Sequence, residues 1–440
     1  MGKFLHGLFP EVADDDRRTF LLAFGLLIGI FIRLLIPYFI EYSIDHGDAA
    51  YYHATALNIL QYFTYSEDVD PTAFRPPLYS GFLAMVLALN DELVLIQIVQ
   101  LILSLVSGLV VTRICALTIP RVAPIVFLLF MVSPYEAVYV GAVLSECLMT
   151  LLLLLLVLCA HEFSGTRRWF SMGILAGLSS LNRDIYILLP FFFAAAFFLL
   201  AKGEDKLRMV YGTVLMVAAM AVVIAPWTAR NYIVLDKFVP ISEGRLGLTL
   251  WLGSWAVSAR ELEYSKDHEL IAPSRVLDDT LGIDLVNRAS RGKVSEEEYL
   301  QLFKARIQSE PLQVFETYIR RAPLLWVGTR FDVFEFDSRW LPRDSRQWIL
   351  VKILLWGLNS LLVTLALIGM WLAFRMKLPL LVLSMPILYT ASVYLPLPGF
   401  ENRYSQPVYP LLLVFVSISL DQGYRYLTRW KANRIQTFNE

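Results

Sequence analysis

Charge is scarce in this 440-residue chain: only 18% of its residues are Asp, Glu, Lys or Arg, while 57% are hydrophobic. Soluble domains carry about 25% charged and roughly 45–50% apolar residues. The composition therefore excludes an ordinary soluble domain. The formal net charge is −1, which gives no support to nucleic-acid binding.

Cysteine is rare, and the common catalytic motifs are absent. Cys115, Cys147 and Cys159 lie in or beside apolar runs, and their spacing fits neither a zinc site nor a disulfide framework. No P-loop, HExxH or GxSxG motif occurs, so nucleotide hydrolysis, zinc proteolysis and serine hydrolysis have no local support. The sequence also has no internal repeat.

Long apolar runs are what the chain has instead. A spanning helix needs about 20 mostly apolar residues, so the runs predict an all-α integral membrane protein with about ten transmembrane helices. The predicted spans are residues 18–40, 93–112, 122–135, 141–160, 169–182, 184–201, 209–228, 348–373, 378–396 and 405–421. Leu78–Leu89 is too short to cross and is predicted to be re-entrant or interfacial. The first run lacks a small-residue cleavage site, so it is predicted to stay as a helix.

Basic residues predict the orientation of these spans, because cytoplasmic loops are enriched in Lys and Arg. Alternate loops and the C-terminal tail are basic, whereas the first outer loop, 41–80, is acidic with a single arginine. This pattern predicts a multi-pass protein of the inner (plasma) membrane with both termini in the cytoplasm. The basic loop and tail residues are Arg113, Arg121, Arg167, Arg168, Lys202, Lys206, Arg208, Arg375, Lys377, Arg425, Arg429, Lys431 and Arg434.

The chain divides into three regions on this basis. Residues 1–229 form an N-terminal transmembrane module, 230–347 an extracytoplasmic cap, and 348–440 the C-terminal helices with a basic tail. Within the cap, a capping box predicts a helix from Ser295 to about Ser309. A second, amphipathic helix opens at Pro311 and is predicted to lie in the membrane interface.

Polar residues on the predicted outer side are the candidates for chemistry. Asp48 is either the N-cap of a helix beginning at Ala49 or a functional carboxylate. Arg75 precedes two prolines and either clamps a phosphate or anchors at the headgroups. Glu146 lies inside a span, where a carboxylate costs roughly 2.5–3.5 kcal/mol, so a functional role is favoured.

Three further arginines have two interpretations each. Arg183 either pairs with Asp184 or contacts an anionic headgroup, and Arg230 either reaches the interface beside Trp227 or binds phosphate. Arg403 either pairs with Glu401 or is a phosphate ligand that Glu401 orients. Acidic and basic groups at one membrane depth favour a reaction on a lipid phosphate, in which arginines hold the leaving group and a carboxylate takes a proton.

The ordered set of these motifs resembles the GT-C glycosyltransferases, in particular the branch of protein O-mannosyltransferases and lipid A aminoarabinose transferases. The matching segments are Gly47-Asp48-Ala49 with Tyr52, Arg75-Pro76-Pro77-Leu78-Tyr79, Ser145-Glu146, Asn182-Arg183, Pro226-Trp227 with Arg230-Asn231, the Pro311 helix, and Glu401-Asn402-Arg403-Tyr404.

The resemblance implies an inverting transfer from a polyprenyl-phosphate-linked sugar donor to an acceptor on the outer face, which is a lipid, a glycan or a protein. Asp48 would be the catalytic base or a metal ligand and Glu146 the second acidic position. A divalent metal, where one is used, would lie near these two carboxylates. Tyr52, Glu401 and Tyr404 would contribute to substrate binding. The modest cap favours a bacterial or archaeal enzyme.

Two other classes of function remain open from the sequence. A polyprenyl-lipid flippase or transporter also gathers arginines for phosphates, but it more often carries charges through the membrane and has inverted repeats. A polysaccharide polymerase or ligase shares a lipid donor and an outer site. Asp48 together with Arg75-Pro76-Pro77 is not expected in that last group.

Overall fold

A computed structural model describes residues 16–42, 44, 47–68, 70–201, 205–243, 246–254, 263–264, 270–271, 296–331, 334–394 and 402–439. The described residues are mainly helical, which confirms the prediction of an all-α fold. The N-terminal half contains α1 (Asp16–Tyr38), β1 (Ile40–Glu41), α2 (Gly47–Tyr62), α3 (Pro77–Leu87), α4 (Leu93–Thr118), α5 (Ala123–Val132), α6 (Pro134–Ala137), α7 (Glu146–Glu162), α8 (Gly165–Asn182), α9 (Leu189–Leu200) and α10 (Asp205–Leu235).

The C-terminal half begins with the cap and ends with three long helical segments. It contains α11 (Leu246–Ser254), β2 (Glu263–Tyr264), β3 (Leu270–Ile271), α12 (Glu296–Ser309), α13 (Pro311–Arg321), β4 (Glu335–Phe336), α14 (Arg346–Arg375), α15 (Leu381–Tyr394) and α16 (Tyr409–Asn439). Short 3-10 turns cover Pro120–Val122, Val138–Val140, Asp184–Leu188, Ala322–Leu325 and Asn402–Val408. The strands form two antiparallel pairs, β1 with β4 and β2 with β3.

Every predicted span overlaps helical structure, but crossing the membrane is a stricter condition. By length and apolar composition, three described helices could cross a bilayer, namely α4, α10 and α14. A bent pair, Pro120–Val132 with Pro134–Val140, would make a fourth if it acts as one span, because its halves meet at 55°. The count of ten spans therefore stays a prediction.

The structure changes several predicted boundaries. The span placed at 141–160 becomes helical only at Glu146. Residues 141–145 before it form bends and a turn, and the Glu146 side chain is buried. The helix predicted from Ala49 begins at Gly47. The short apolar segment is an 11-residue helix, α3, roughly 16 Å long and so about half of the hydrocarbon thickness. The Pro311 helix begins where predicted, whereas Ser295 lies outside the described residues.

Close helix packing gives the core its shape. α8 packs along α10, α7 along α4, and α14 along α16. The α8–α10 contact depends on a small residue, since a Cβ built on Gly173 would lie 2.3 Å from the Met216 carbonyl oxygen. Small residues at such positions let membrane helices approach each other without a side chain between them. The resulting scaffold brings the ends of α2, α7 and α8 to one end of the bundle.

Candidate active site

Asp48 lies at the start of α2 and faces two arginines. Gly47 opens the helix with a φ of +61°, a left-handed conformation that glycine adopts readily. Because the helix starts there, Asp48 lies inside its first turn instead of capping it, so the predicted N-cap role is wrong. The positive end of the helix dipole favours a carboxylate at this position.

Each oxygen of the Asp48 carboxylate accepts from a different arginine. Arg75 Nη2 donates to Oδ1 at 2.5 Å, and Arg403 Nη2 donates to Oδ2. The two arginines are 328 residues apart in the sequence, and both donate to this carboxylate. Asp48 therefore joins the first outer loop to the segment that precedes α16.

Aromatic rings hold Arg75 in this position. Its guanidinium carbon lies 5.2 Å from the ring centroid of Tyr51 and 5.4 Å from that of Tyr52, distances typical of cation–π contacts. Tyr65 Oη donates to the Arg75 carbonyl at 3.0 Å, which fixes the backbone. Burial lowers the pKa of Arg75, but the neighbouring Asp48 carboxylate raises it, and the net shift is upward.

Glu146 is the second carboxylate, and it is the first residue of α7. Its side chain is only 1% exposed and lies between two arginines, Arg183 Nη2 at 2.6 Å and Arg403 Nε at 3.1 Å. Ser145 Oγ accepts from Arg183 Nε at 3.1 Å, so the residue before Glu146 also orients that guanidinium. The prediction that Arg183 pairs locally with Asp184 is not supported, since Asp184 accepts from Ser242.

The structure thus brings five of the sequence-predicted residues into one connected cluster. Arg403 bridges the two carboxylates, Arg75 flanks Asp48, and Arg183 flanks Glu146. Three guanidinium groups against two carboxylates leave a net charge of +1. Breaking a buried pair by removing one partner costs about 3–5 kcal/mol, because it leaves an uncompensated charge. The cluster is therefore stable as a unit and can accept an added anion.

Arg230 is not part of this cluster, although the sequence placed it at the same face. It donates to the carbonyl oxygens of Thr72 at 2.8 Å and Tyr65 at 3.1 Å. Its guanidinium carbon lies 4.9 Å from the Trp227 ring centroid. These contacts fasten the first outer loop to α10, so the structure gives Arg230 an anchoring role instead of a phosphate contact.

The predicted substrate-binding side chains divide into three cases. Tyr52 is buried and its ring contacts the guanidinium of Arg75, so it helps to hold that side chain in place. Tyr404 stacks on Tyr394, with ring centroids 4.9 Å apart, and its ring lies 5.8 Å from the guanidinium carbon of Arg403. Glu401 lies outside the described residues, so its predicted pairing with Arg403 stays a prediction.

The donor set does not fit a divalent metal. The Arg403 guanidinium lies between Asp48 and Glu146 and contacts both, which puts a positive charge where a shared metal ion would bind. Among the residues that the structure describes, no group of three or more His, Cys, Asp or Glu side chains is arranged to hold a metal. The structure therefore does not support the metal-binding role predicted for Asp48 and Glu146.

Sequence reasoning missed a second polar group beneath the cluster. Arg330 is fully buried and donates to Asn359, Ser405 and Gln406. Gln406 in turn donates to the buried Glu136 carboxylate at 2.9 Å. The only sequence signal was an arginine within an apolar stretch that follows Gly328, which no motif distinguishes from an interfacial anchor.

Comparison with known proteins supports the fold. No protein-family model and no curated protein sequence matches the chain. Its structure resembles the archaeal oligosaccharyltransferase AglB from Archaeoglobus fulgidus, solved in complex with an inhibitory peptide and a dolichol-phosphate, with a TM-score of 0.54 and 13% identity. That match covers 96% of this chain and 52% of the other.

A second solved structure gives the same result. The Archaeoglobus fulgidus oligosaccharyltransferase tethered to an acceptor peptide that contains the NVT sequon matches with a TM-score of 0.53 and 15% identity, covering 95% of this chain and 51% of the other. This chain spans about half the length of the structures it matches. At such identities the likeness shows the fold alone. Membership of the GT-C glycosyltransferases, and of the branch that the sequence motifs resemble, stays a prediction.

Proposed function

We propose that this chain is a membrane glycosyltransferase that moves a sugar from a polyprenyl-phosphate-linked donor to an extracytoplasmic acceptor. The observation that carries the proposal is the cluster of three arginines and two carboxylates with a net charge of +1. Planar guanidinium forks bind phosphate well, because two parallel N–H groups match two of its oxygens. The dolichol-phosphate bound by the structural neighbour agrees with a lipid-linked donor.

Unused donors in the cluster support phosphate binding. Arg75 Nε and Arg183 Nη1 are buried, and neither donates a hydrogen bond to any described residue. Buried donors without a partner are rare, because each carries a desolvation penalty of about 1–3 kcal/mol. A phosphate placed among Arg75, Arg183 and Arg403 would satisfy these donors and balance the excess positive charge.

The carboxylates then have separate roles. When the donor phosphate takes over part of the arginine contacts, Asp48 is free to accept the proton of the acceptor hydroxyl or amide. The acceptor atom forms a bond to the anomeric carbon from the face opposite the phosphate, and the bond from that carbon to the phosphate oxygen breaks. The polyprenyl phosphate leaves with the electron pair, the configuration inverts, and Asp48 holds the proton. Glu146 keeps Arg183 and Arg403 in place while charge grows on the leaving group.

A ten-span topology with cytoplasmic termini belongs to this proposal. Two ion pairs, Arg113 with Glu162 and Arg121 with Asp421, lie at or just beyond the ends of predicted spans that the sequence assigns to the cytoplasm. Glu162 ends α7 and Glu146 begins it, so the pair at Glu162 and the cluster at Glu146 are separated by roughly 24 Å of helix. This separation supports a cluster at the outer leaflet, where the cap, 230–347, would help to choose the acceptor.

The test is transfer by purified protein in lipid nanodiscs that contain a polyprenyl-phosphate sugar, with release of the polyprenyl phosphate as the readout. Because the acceptor is not identified, water and a panel of peptides, glycans and lipid A precursors are supplied. We expect Asp48→Asn to lower turnover by about 10²–10⁴-fold, the usual contribution of a general base. Near-normal turnover in Asp48→Asn would overturn the catalytic assignment, and lipid movement without phosphate release would support a flippase instead.

Asp421→Asn is the matched control. Asp421 is also a carboxylate held by two arginines, Arg121 and Arg425, but it lies at the opposite end of the bundle. Removing its charge disturbs a similar pair of contacts without touching the cluster. We expect Asp421→Asn to keep full turnover, so that a loss confined to Asp48→Asn reports the reaction and not the general effect of a missing carboxylate.

A further inference from the structure

Arg330 is the most completely hydrogen-bonded arginine beneath the candidate site. Its side chain is fully buried. Nε donates to Asn359 Oδ1 at 3.1 Å, and Nη1 donates to the Asn402 carbonyl at 3.2 Å and to Gln406 Oε1 at 2.9 Å. A guanidinium has five N–H groups, and the other two are used by Nη2.

The remaining contacts bind the same short segment. Nη2 donates to Ser405 Oγ at 3.0 Å and, at the limit of hydrogen bonding, to the Trp326 carbonyl at 3.5 Å. The guanidinium carbon also lies 4.2 Å from the Tyr409 ring centroid. Three of the five acceptors therefore belong to the 3-10 turn Asn402–Val408, the turn that carries Arg403.

The backbone around Arg330 is built for this contact. Arg330 has a φ of +59°, in the left-handed region that non-glycine residues rarely adopt because it is unfavourable for a side chain with a Cβ. Two residues earlier, a Cβ built on Gly328 would lie 1.8 Å from Asn402 Nδ2, so a larger residue there would displace the Asn402 side chain. An unfavourable backbone at Arg330 and a glycine at 328 therefore accompany the close approach of this segment to the turn.

The turn is fixed from its other side as well. Gln406 Nε2 donates to the buried Glu136 carboxylate at 2.9 Å and to the Tyr135 carbonyl at 3.1 Å. Ser405 Oγ also donates to the Leu325 carbonyl at 2.6 Å. Within this well-bonded turn, the Arg403 side chain reaches the other way, to Asp48 and Glu146.

We propose that Arg330 is a positioning residue for the transfer reaction: it fixes the Asn402–Val408 turn so that the fork of Arg403 reaches both carboxylates and the donor phosphate. The inference rests on the proposed function. Arg330 itself binds only neutral acceptors, so it acts through Arg403 and not on the substrate. Its effect should fall on kcat, because Arg403 must lie within hydrogen-bond reach of the leaving phosphate as its charge develops.

The test is a double-mutant cycle between Arg330→Lys and Arg403→Lys, measured as release of polyprenyl phosphate. A lysine keeps the charge but cannot supply the fork. We expect Arg330→Lys to lower kcat by about 10-fold with little change in the KM of the donor, and Arg403→Lys to lower it by about 100-fold. Because residues coupled through a shared backbone segment are not additive, the double variant should be no slower than Arg403→Lys alone.

Arg33→Lys is the matched control. Arg33 is also a buried arginine that donates to main-chain carbonyls, those of Met131 at 2.8 Å and Phe130 at 3.2 Å. It does not contact the Asn402–Val408 turn through any of its hydrogen bonds. Arg33→Lys should lower thermal stability to a similar extent, and its effect on kcat should simply multiply with that of Arg403→Lys. Equal multiplication for Arg330→Lys would overturn the proposal.

A second variant disturbs the same turn while leaving Arg330 unchanged. The methyl group of Gly328→Ala would meet the Asn402 side chain, so we expect a loss of kcat in the same direction as in Arg330→Lys. The structures of Arg330→Lys and Arg33→Lys by cryo-electron microscopy separate this inference from the proposed function, since they need no activity. We expect Arg403 to leave Asp48 and Glu146 only in Arg330→Lys. An undisturbed Arg403 in that variant contradicts the positioning role even if the protein transfers no sugar.

Discussion

A single buried arginine lies on one side of the Asn402–Val408 turn and the arginines of the candidate site lie on the other, and their hydrogen bonding differs. Arg330 is bonded by neutral acceptors that use all of its donors. Arg75 and Arg183 pair with carboxylates and each keeps one buried donor without a partner among the described residues. An arginine whose N–H groups all have partners stabilises the structure around it. An arginine that pairs with a carboxylate and keeps an unused N–H group can exchange that partner for an anion from outside.

The largest effect on stability and turnover should come from Glu146→Gln, which removes a carboxylate from the candidate site. Glu146 is 1% exposed between Arg183 and Arg403, and its loss leaves two guanidinium groups facing each other. We expect a loss of about 3–5 kcal/mol in the free energy of unfolding and no measurable turnover. Thermal unfolding in detergent measures the first. Added polyprenyl phosphate should recover part of the stability, and a variant as stable as the wild type would contradict the view that Glu146 compensates the buried charge of Arg183 and Arg403.

A smaller effect is expected from Arg75→Lys. The substitution keeps the charge beside Asp48 but removes the fork, which should lower kcat/KM for the donor by about 10–100-fold, equal to roughly 1.4–2.8 kcal/mol. Steady-state kinetics with varied donor concentration measures this. Arg113→Lys is the control, because Arg113 makes a two-pronged contact with Glu162 away from the cluster and should leave kcat/KM unchanged.

Arg230→Gln should have a smaller effect again. Arg230 fastens the loop through the carbonyls of Tyr65 and Thr72, so its loss should loosen residues 64–76 without removing a phosphate contact. We expect faster limited proteolysis of this loop and only about a 2–5-fold lower turnover, because the contacts proposed for the donor phosphate stay in place. A defect in donor affinity as large as that of Arg75→Lys would return Arg230 to the binding site.

Chelation should have the smallest effect of all. Because the Arg403 guanidinium already lies between the two carboxylates, we expect EDTA to leave turnover unchanged. Turnover with and without EDTA, followed by readdition of Mg²⁺ or Mn²⁺, measures this. A loss that the metal restores would show that Arg403 moves aside and that the two carboxylates take a cation during the reaction.

Much of the helical layout could be predicted from the sequence, since apolar runs must close their own backbone hydrogen bonds in lipid. The start of α13 at Pro311 was predicted for the same kind of local reason, because proline is tolerated in a first turn. The start of α7 was not predicted correctly, since the segment 141–145 is mostly apolar and its composition does not differ from that of the helix that follows. Whether ten segments cross the membrane depends on tilt and depth, which composition does not fix.

The sequence by itself determined which residues carry charge inside or beside apolar runs, because charge placed in such a run is costly and stands out in the sequence. Only the tertiary structure decided the partners of those charges: that Arg403 bridges Asp48 and Glu146, that Arg230 anchors a loop, and that Arg330 holds the turn beneath. The physical reason is distance along the chain. Polar contacts between residues 98 to 355 positions apart, such as the hydrogen bond from Arg33 to the Met131 carbonyl and the ion pair of Arg403 with Asp48, leave no local pattern in the sequence.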